Sequence, residues 1–588
     1  MSESLSLAQL NAVDVDEFVL LLAGIYEKAD WVARAAAQHR PFMTLASLKR
    51  GLVEAVRDAP ADQQRVLLEQ HPDLGVATQS LAERAQSARE QKAAGLADID
   101  DQMRSRLATL NQDYRSRFGM PFILAAGGPR GLGLSPAEIE ATLVRRLTRN
   151  RNLEFAENLR QLHRIAELRL NQRLGFSPAL GNDVWDWAQA LAEYSEPEFA
   201  VRGQLTATYL TQAHQACMSQ IEAWMRDACG FDEVRVDAVG NVVGVYHGAD
   251  PESPRLMTGS HYDTVRNGGR YDGRLGILVP MICVRELSAL GRRLALGVEV
   301  IAFSEEEGQR FAATFLGSRA LLGQFDANWL ERRDADGVKM VEAIRSAGFD
   351  PADIPAIARD PARYKGFVEI HIEQGPVLDA LDLPLGVVTS INGAVRMAGT
   401  AIGMASHAGT TPMNQRQDAA LAVAELALYV EARASSVPDT VGTVGVLEVT
   451  PGSVNVVPGH CRFSLDIRST TDEVRDECVQ DVLAQAERIS EQRGVSFTIE
   501  ETMRAAAAPC DPAWQQQWAD AVAALGLPVH RLPSGAGHDA MKMHEAMPQA
   551  MLFVRGGNDG ISHNPLEIVT SDDAEHCIGA FMNLLENN

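Results

Sequence analysis

The chain has 588 residues, 46% of them apolar and 22% charged, with a formal net charge of −24. That length exceeds what one hydrophobic core organises and calls for several domains. The acidic balance argues against a nucleic-acid partner, which needs a basic face, and no apolar run approaches the roughly 18–20 residues of a membrane helix.

The opening MSESLSLAQLNAVDVDEF lacks the basic start of a secretory signal, and the closing LLENN carries no peroxisomal tripeptide, so a cytoplasmic location is expected. The seven cysteines, Cys217, Cys229, Cys283, Cys461, Cys478, Cys510 and Cys577, form no C-x-x-C pair. An odd, scattered set suits reduced thiols rather than a disulfide frame or a zinc ribbon.

Residues 1–174 read as an all-α bundle. Ile139, Leu143 and Leu147, then Phe155, Leu159, Leu162 and Ala166, recur at helical spacing, with a break expected at Asn150–Asn152. Gly95 is placed to end one helix and Asp98 to cap the next. GFSPALGND, residues 175–183, is rich in turn-formers and reads as a linker. After it the pattern changes. VGNVVGVYHG, RLMTGSHYD and GVEVIAFSEEEG each read as a strand ending in a polar or glycine turn, and helical stretches alternate with them. Residues 184–387 and 504–588 are therefore assigned to an α/β domain with a partly parallel sheet. Residues 388–503 read strand, helix, strand, strand, helix, strand, the order of a ferredoxin-like α+β insertion.

Five positions in the α/β part stand out as metal ligands: His261, Asp272, Glu307, His371 and His563. Imidazole and carboxylate donors suit zinc, manganese or their neighbours, and the sequence leaves that choice open. Asp263, two residues after His261, is placed to take the other ring proton and fix the tautomer. Crowding Asp263, Asp272 and Glu305–Glu307 together is costly through like-charge repulsion, and one or two divalent cations remove that cost. Taken singly, each residue is equally well a cap or a solvated side chain. The ordered set GSHYDTV, RYDG, EEEGQRF, HIEQGP, HAGTTPM and SHNPLE is far more specific.

With these motifs in hand, residues from about 182 to 588 resemble the di-metal amidohydrolases that include aminoacylases and carboxypeptidases. The resemblance is greatest to the branch of allantoate amidohydrolases and N-carbamoyl-L-amino acid hydrolases. It implies two divalent metal ions, Zn²⁺ or Mn²⁺, with His261 and His371 on one, Glu307 and His563 on the other, and Asp272 between them. It implies Glu306 as general base, the register among Glu305–Glu307 being set by the following G-x-R-F. His407 of SHAGTTPM is implied to steady the oxyanion across a homodimer interface formed by residues 388–503. Asn455 and Arg468 match substrate-binding positions, Arg396 matches more loosely, and His538 of GAGHDA is placed at the pocket wall.

In the front part, HPDL puts His71 at a bend, because proline biases the preceding residue away from helical geometry. Ser87 and Glu90 share a helix face, and Gln91 extends it. FGMPFILAAGG is an apolar wall fit for a flat small molecule. HPDL, S-x-x-EQ-x-x-AGL, LN-x-x-Y, FG-x-PFI and HRIAELRL together resemble the 2-oxo-4-hydroxy-4-carboxy-5-ureidoimidazoline (OHCU) decarboxylases over about residues 7–172, departing at Met120, where phenylalanine is common. The resemblance implies a cofactor-free decarboxylase. It implies His71 as the acid, Pro72 beside it at the substrate, and Glu90 as the residue that orients the substrate or the histidine. Ser87, Gln91 and the backbone of Phe122, Ile123, Leu124 and Ala125 bind the ureido ring, and Arg164 holds a carboxylate.

The two resemblances together imply a bifunctional enzyme of urate breakdown acting on small ureides. Two alternatives stay open: a rear half that hydrolyses N-carbamoyl-L-amino acids, and a front half that serves only for docking or oligomerisation.

Overall fold

The computed structural model describes the chain except residues 1–4, 43–44, 72–95, 97–98, 127–133, 150 and 176–178. Of the sequence-derived positions, Pro72, Ser87, Glu90, Gln91, Gly95 and Asp98 lie outside the described residues. Among those described, no helix is long and apolar enough to cross a membrane.

The front region is helical, and side-chain caps open several of its helices. Ser6 and Ser135 form capping boxes with Gln9 and Glu138, and Asp14 caps the helix Val15–Leu21. The helix Asp101–Phe118 is capped by Asp100 and ends at Gly119 in the left-handed region (φ 74°). Helices Pro136–Arg146 and Arg151–Leu174 are separate, but the second already includes Asn152, so the break comes earlier than the expected Asn150–Asn152. Phe18, Val32, Leu48, Tyr114, Phe122, Leu143 and Leu170 fill the core. Through that core runs a buried ion pair, Arg146 to Glu154 at 2.9 Å. Arg146 also donates to Ile123 O at 2.7 Å, which ties the segment after the proline of FGMPFI to the end of helix Pro136–Arg146.

The hydrolase part starts earlier than expected. Helix Ala179–Ala192 begins inside the expected linker 175–183, because Gly181 lets it lie against helix Ser571–Glu586. A Cβ on Gly181 would come within 1.9 Å of Ser571 O.

The strands follow in chain order. β1 (Glu233–Val236), β2 (Val242–Tyr246), β3 (Arg255–His261), β4 (Gly297–Phe303), β5 (Tyr364–Ile372) and β6 (Leu385–Ile391) belong to the main sheet. β7 (Gly393–Ile402), β9 (Val441–Thr443), β10 (Leu447–Val449), β12 (His460–Ser469) and β13 (Ser496–Ala505) form a second, antiparallel sheet. β8 (Ser406–His407) and β11 (Val456–Val457) pair with each other. The chain then returns to the main sheet with β14 (Ala508–Pro509), β15 (Arg531–Ser534) and β16 (Gln549–Val554). The second sheet thus starts at 393 and ends at 505, not at 388 and 503. Val387 and Val388 pair with β15, and Ser390 and Ile391 with β14, so that stretch belongs to the main sheet. Helices Ala419–Ser435 and Asp472–Arg493 bury Leu426, Val430, Val479 and Val482 against Phe463, Leu465 and Ile467 of one sheet face.

In the main sheet β4, β3, β5 and β16 lie side by side and parallel. Their carboxyl ends therefore share one edge, where open α/β sheets place ligands. The helix Leu275–Ala289 is apolar nearly all round and packs beneath them. His214 braces the turn after β4. Its ring is fully buried, Nε2 lies 2.6 Å from Ser304 O, and it packs on Tyr262 at 4.4 Å.

The two halves meet through a buried polar cluster. Lys49 pairs with Asp572 and, at 3.2 Å, with Glu167. Arg164 donates to Glu167 and Asn182, each at 2.8 Å, and to Ser571 Oγ, with its guanidinium 4.5 Å over Trp185.

Two outcomes are expected. Lys49→Met leaves Asp572 buried without its cation and Glu167 with Arg164 alone, and losing one member of a buried pair costs about 3–5 kcal/mol. The first unfolding midpoint of the full chain in urea should fall accordingly; an unchanged midpoint means the cluster does not hold the junction. The second concerns acid. Burial holds the His214 imidazole down to about 4 in the folded protein. Unfolded histidine titrates near 6.5, so below that pH the unfolded chain binds the extra proton. Stability from this residue is complete above about pH 6.5 and falls toward pH 4 by at most roughly 1.4 kcal/mol per pH unit. His214→Asn should be less stable at pH 7.5 but show a shallower decline from pH 6.5 to 5 in urea titrations.

Candidate functional site

Asp272 stands at the centre of the main-sheet edge. Its side chain faces three imidazoles: Oδ1 lies 3.6 Å from His261 Nε2 and 3.3 Å from His371 Nε2, and Oδ2 lies 3.1 Å from His563 Nε2. His563 Nε2 also lies 3.4 Å from Glu307 Oε1. Two sets of donor atoms converge here, His261 with Asp272 and His371, and Asp272 with Glu307 and His563; in each, all atoms lie within 4.8 Å of one another.

Local structure explains the convergence. His261 ends β3 and His371 lies near the end of the neighbouring β5, which brings their rings to 5.9 Å. Asp272 sits on the turn before the apolar helix, where Gly273 (φ 67°) is needed: a Cβ there would lie 2.5 Å from the His261 ring. His563 adopts φ 53° in the loop after β16 and is half exposed.

The tautomers suit a metal. His371 Nδ1 lies 2.9 Å from Ile372 O, so it carries the proton, and Nε2 turns its lone pair toward Asp272. His261 Nδ1 lies 3.2 Å from Asp263 Oδ1 and is fixed in the same way. Without added positive charge, imidazole lone pairs face a carboxylate. A cation between them turns each repulsion into a bond, so the donor set fits divalent ions.

Asp263 also ties the glutamates in place. Its Oδ1 accepts from Glu306 N at 3.1 Å and its Oδ2 from Glu307 N at 3.2 Å. The triplet is divided by this turn. Glu306 and Glu307 converge with His261, whereas Glu305 points into the protein and is 1% exposed. Burial and then Glu307 hold the Glu306 carboxyl well above the ordinary range, and burial with Asp272 raises Glu307 to about 7. His538 packs edge-on to His371 at 4.4 Å and shares a proton with Ser534 Oγ at 2.7 Å; burial lowers it far below its ordinary value.

The inserted segment carries the remaining candidates. Arg468 clamps Asp466 with Nε and Nη2, both at 2.9 Å, and donates Nη1 to Gly535 O at 2.7 Å. Arg396 Nε reaches the same Asp466 at 3.0 Å. Both arginines line a cleft of about 580 Å³ between the open face of the second sheet and Gly535. His407 and Asn455 sit together elsewhere, on β8 and the start of β11. Ala408 N donates to Asn455 O at 2.9 Å, and His407 Nδ1 accepts from Gly409 N at 3.1 Å.

In the front domain His71 is buried and follows helix Ala61–Glu69, its N–H donating to Leu68 O at 3.0 Å. The backbone expected to read a substrate is partly engaged already. Ile123 N donates to Asn158 at 3.0 Å and Ala125 N to Gln161 at 3.1 Å, while Ile123 O accepts from Arg146; Phe122 and Leu124 are buried beside them. Arg164 is buried, its guanidinium held by Glu167 of its own helix and by Asn182 and Ser571 at the junction with the hydrolase half.

Several contributors escape a motif-level reading. Gln374 Nε2 reaches Asp272 Oδ2 at 3.2 Å, Asp466 holds both arginines, and Glu567 contacts the Asp272 turn. Gln374 and Glu567 lie inside HIEQGP and SHNPLE, so the only signal was their place in motifs already singled out for a histidine.

Comparisons with known proteins agree with this division. The family model for OHCU decarboxylase matches residues 11–171, and that for peptidase family M20/M25/M40 matches residues 257–587. An N-carbamoyl-L-amino acid amidohydrolase of Geobacillus stearothermophilus is 39% identical over 393 residues, 67% of this chain and 95% of the relative. An allantoate amidohydrolase of Bacillus subtilis is 33% identical over 406 residues, 69% of this chain and 97% of the relative. A crystal structure of a hydantoinase/carbamoylase-family amidase from Burkholderia multivorans superposes with TM-score 0.64 at 30% identity, covering 69% of this chain and 97% of that one. The chain belongs to peptidase family M20/M25/M40, with an OHCU decarboxylase domain fused in front of its hydrolase part.

Proposed function

We propose that the hydrolase half cleaves allantoate to ureidoglycine, ammonia and carbon dioxide, and that the front half decarboxylates OHCU to (S)-allantoin. The observation that carries the hydrolase reading is the meeting of three imidazole nitrogens and Glu307 around Asp272. Two divalent ions, zinc or manganese, would be held by His261, His371 and Asp272 and by Asp272, Glu307 and His563, and would supply an activated water and a Lewis acid. Glu306, beside His261 and Glu307, takes the proton of the attacking water and returns it to the leaving nitrogen. Asp263 keeps the His261 tautomer and the Glu306–Glu307 turn in place. His538 lines the wall behind His371.

Residues 393–505 act as the lid and as the surface of a homodimer, in the manner of a ferredoxin-like sandwich. Leu421 and Leu428, seven apart on one helix, are 47% and 68% exposed, and Met404 is 61% exposed, which suits a covering partner. His407 then steadies the developing oxyanion from the second copy, near Asn455. Arg468 and Arg396 receive the substrate's carboxylate, which suits the planar fork of arginine. The Arg468 fork is closed on Asp466 and Gly535, so binding exchanges one of these contacts for the substrate. In the front half His71 protonates the carbon that loses carbon dioxide, with Glu90, Ser87, Gln91 and Pro72 around it. No cofactor is assigned to that half, and a cytoplasmic location suits both activities.

The 39% identity of the Geobacillus relative favours a second reading, in which the rear substrate is an N-carbamoyl-L-amino acid. One experiment separates the two. The Mn²⁺-loaded protein is assayed for ammonia release from allantoate and, in parallel, for amino-acid release from N-carbamoyl amino acids. Turnover of allantoate alone is expected, abolished by chelation and reduced roughly 10²–10⁴-fold in Glu306→Gln. Turnover of only the carbamoyl amino acids selects the second reading. His71→Ala should abolish enzymatic (S)-allantoin formation from OHCU, followed by circular dichroism, and leave ammonia release unchanged; retained formation would make the front half a docking module.

A further inference from the structure

We propose that Glu567 is a positioning residue of the metal centre, a role that rests on the metal reading of the preceding section. Glu567 is 2% exposed and holds no ligand position itself. Its Oε1 accepts two backbone N–H groups, Tyr271 at 2.8 Å and Asp272 at 3.1 Å. Its Oε2 accepts the Ser562 hydroxyl at 3.0 Å. One carboxylate therefore joins the turn that carries Asp272 to the residue preceding His563. These two loops come from chain segments almost three hundred residues apart, and they carry Asp272 and His563, whose Oδ2 and Nε2 lie 3.1 Å apart.

The site is built for this side chain. A Cβ on Gly269 would fall 2.1 Å from Glu567 Oε1, so glycine there makes room for the carboxylate. The turn bearing Glu567 is itself closed: Leu566 N donates to Asn564 Oδ1 at 2.9 Å and Glu567 N to Asn564 O at 3.0 Å. Asp263 makes the matching link on the other side, from His261 to the Glu306–Glu307 turn. Each side of the centre thus has one buried carboxylate that binds no metal and fixes the backbone of residues that do. Partners of this kind commonly change metal affinity or activity 10–100-fold when removed.

The test uses the full-length chain and Mn²⁺ as probe. Mn²⁺ binding is measured by competition with a chelating dye, and kcat and KM for the rear substrate are measured at limiting and at excess Mn²⁺. Glu567→Ala is expected to weaken Mn²⁺ binding roughly 10–100-fold, to lower kcat with KM little changed, and to recover part of kcat at excess Mn²⁺. Glu567→Gln keeps one acceptor oxygen and should fall between. Gly269→Ala displaces the carboxylate without removing it and should mimic Glu567→Ala. If Glu567→Ala does not fold, Glu567→Gln and Ser562→Ala carry the test. A wild-type chain that binds no Mn²⁺ overturns the metal reading itself. A wild type that binds Mn²⁺, with Glu567 variants of equal affinity and equal kcat, overturns the positioning role alone.

Discussion

The hydrolase half is organised by one electrostatic constraint: several carboxylates must share a small, buried edge of a sheet. Asp263, Asp272, Glu306 and Glu307 come together there from three turns, and burial makes Glu306 and Glu307 costly to ionise. The fold meets that constraint with imidazoles. His261, His371 and His563 surround Asp272, and the hydrogen bonds at Nδ1 of His261 and His371 aim both Nε2 atoms inward. The arrangement is balanced when divalent cations supply the remaining charge. The parallel run β4, β3, β5 and β16 makes the gathering possible, because it places the carboxyl ends of four strands on one side.

Much of this was legible in the sequence because short motifs report local geometry. GSHYD reads as a strand end followed by a turn, and β3 does end at His261. The α-to-α/β change near residue 180 was visible in periodicity and in the distribution of β-branched residues. What remained hidden depends on tertiary contact. The linker at 175–183 contains glycine and asparagine, which suggest a turn, yet helix packing against residues 571–575 overrides that local preference. The insertion boundary was misplaced because Val387 to Ile391 are equally good strand residues for either sheet, and only pairing with β14, β15 and β16 decides. The surroundings of Arg164 are hidden for a related reason: sequence shows a cation on a helix with Glu167 one turn on, and only the docked hydrolase half adds Asn182 and Ser571.

The same contacts make the fusion more than two enzymes on a string. Interfaces between domains joined by a free linker are usually polar and exchange water readily. Here the junction contains Lys49, 6% exposed, against Asp572, 3% exposed, and an arginine stacked on Trp185. Buried ionic contacts of this kind give little net stability but penalise every misaligned arrangement, which fixes orientation. The residues gripped are also informative. Ser571 and Asp572 open the final helix, and the loop carrying His563 and Glu567 runs straight into them. Arg270, two residues before Asp272, approaches Glu157 of the front domain at 3.8 Å. The loops carrying Asp272 and His563 are therefore both flanked by contacts from the helical half.

That bracing bears on why these two activities share a chain. On the proposed chemistry, the front product is a closed ring and the rear substrate is the opened one, so a ring-opening hydrolase must act between them. Direct passage from one site to the other would deliver the wrong compound. A rigid junction is then better explained by what it does for the hydrolase fold than by transfer of an intermediate. The helical domain supplies Lys49, Arg164, Glu167 and Glu157 to a surface that the M20 part would otherwise expose to water, with Asp572 and Arg270 on it. Fusion places that support in fixed proportion to the enzyme it supports.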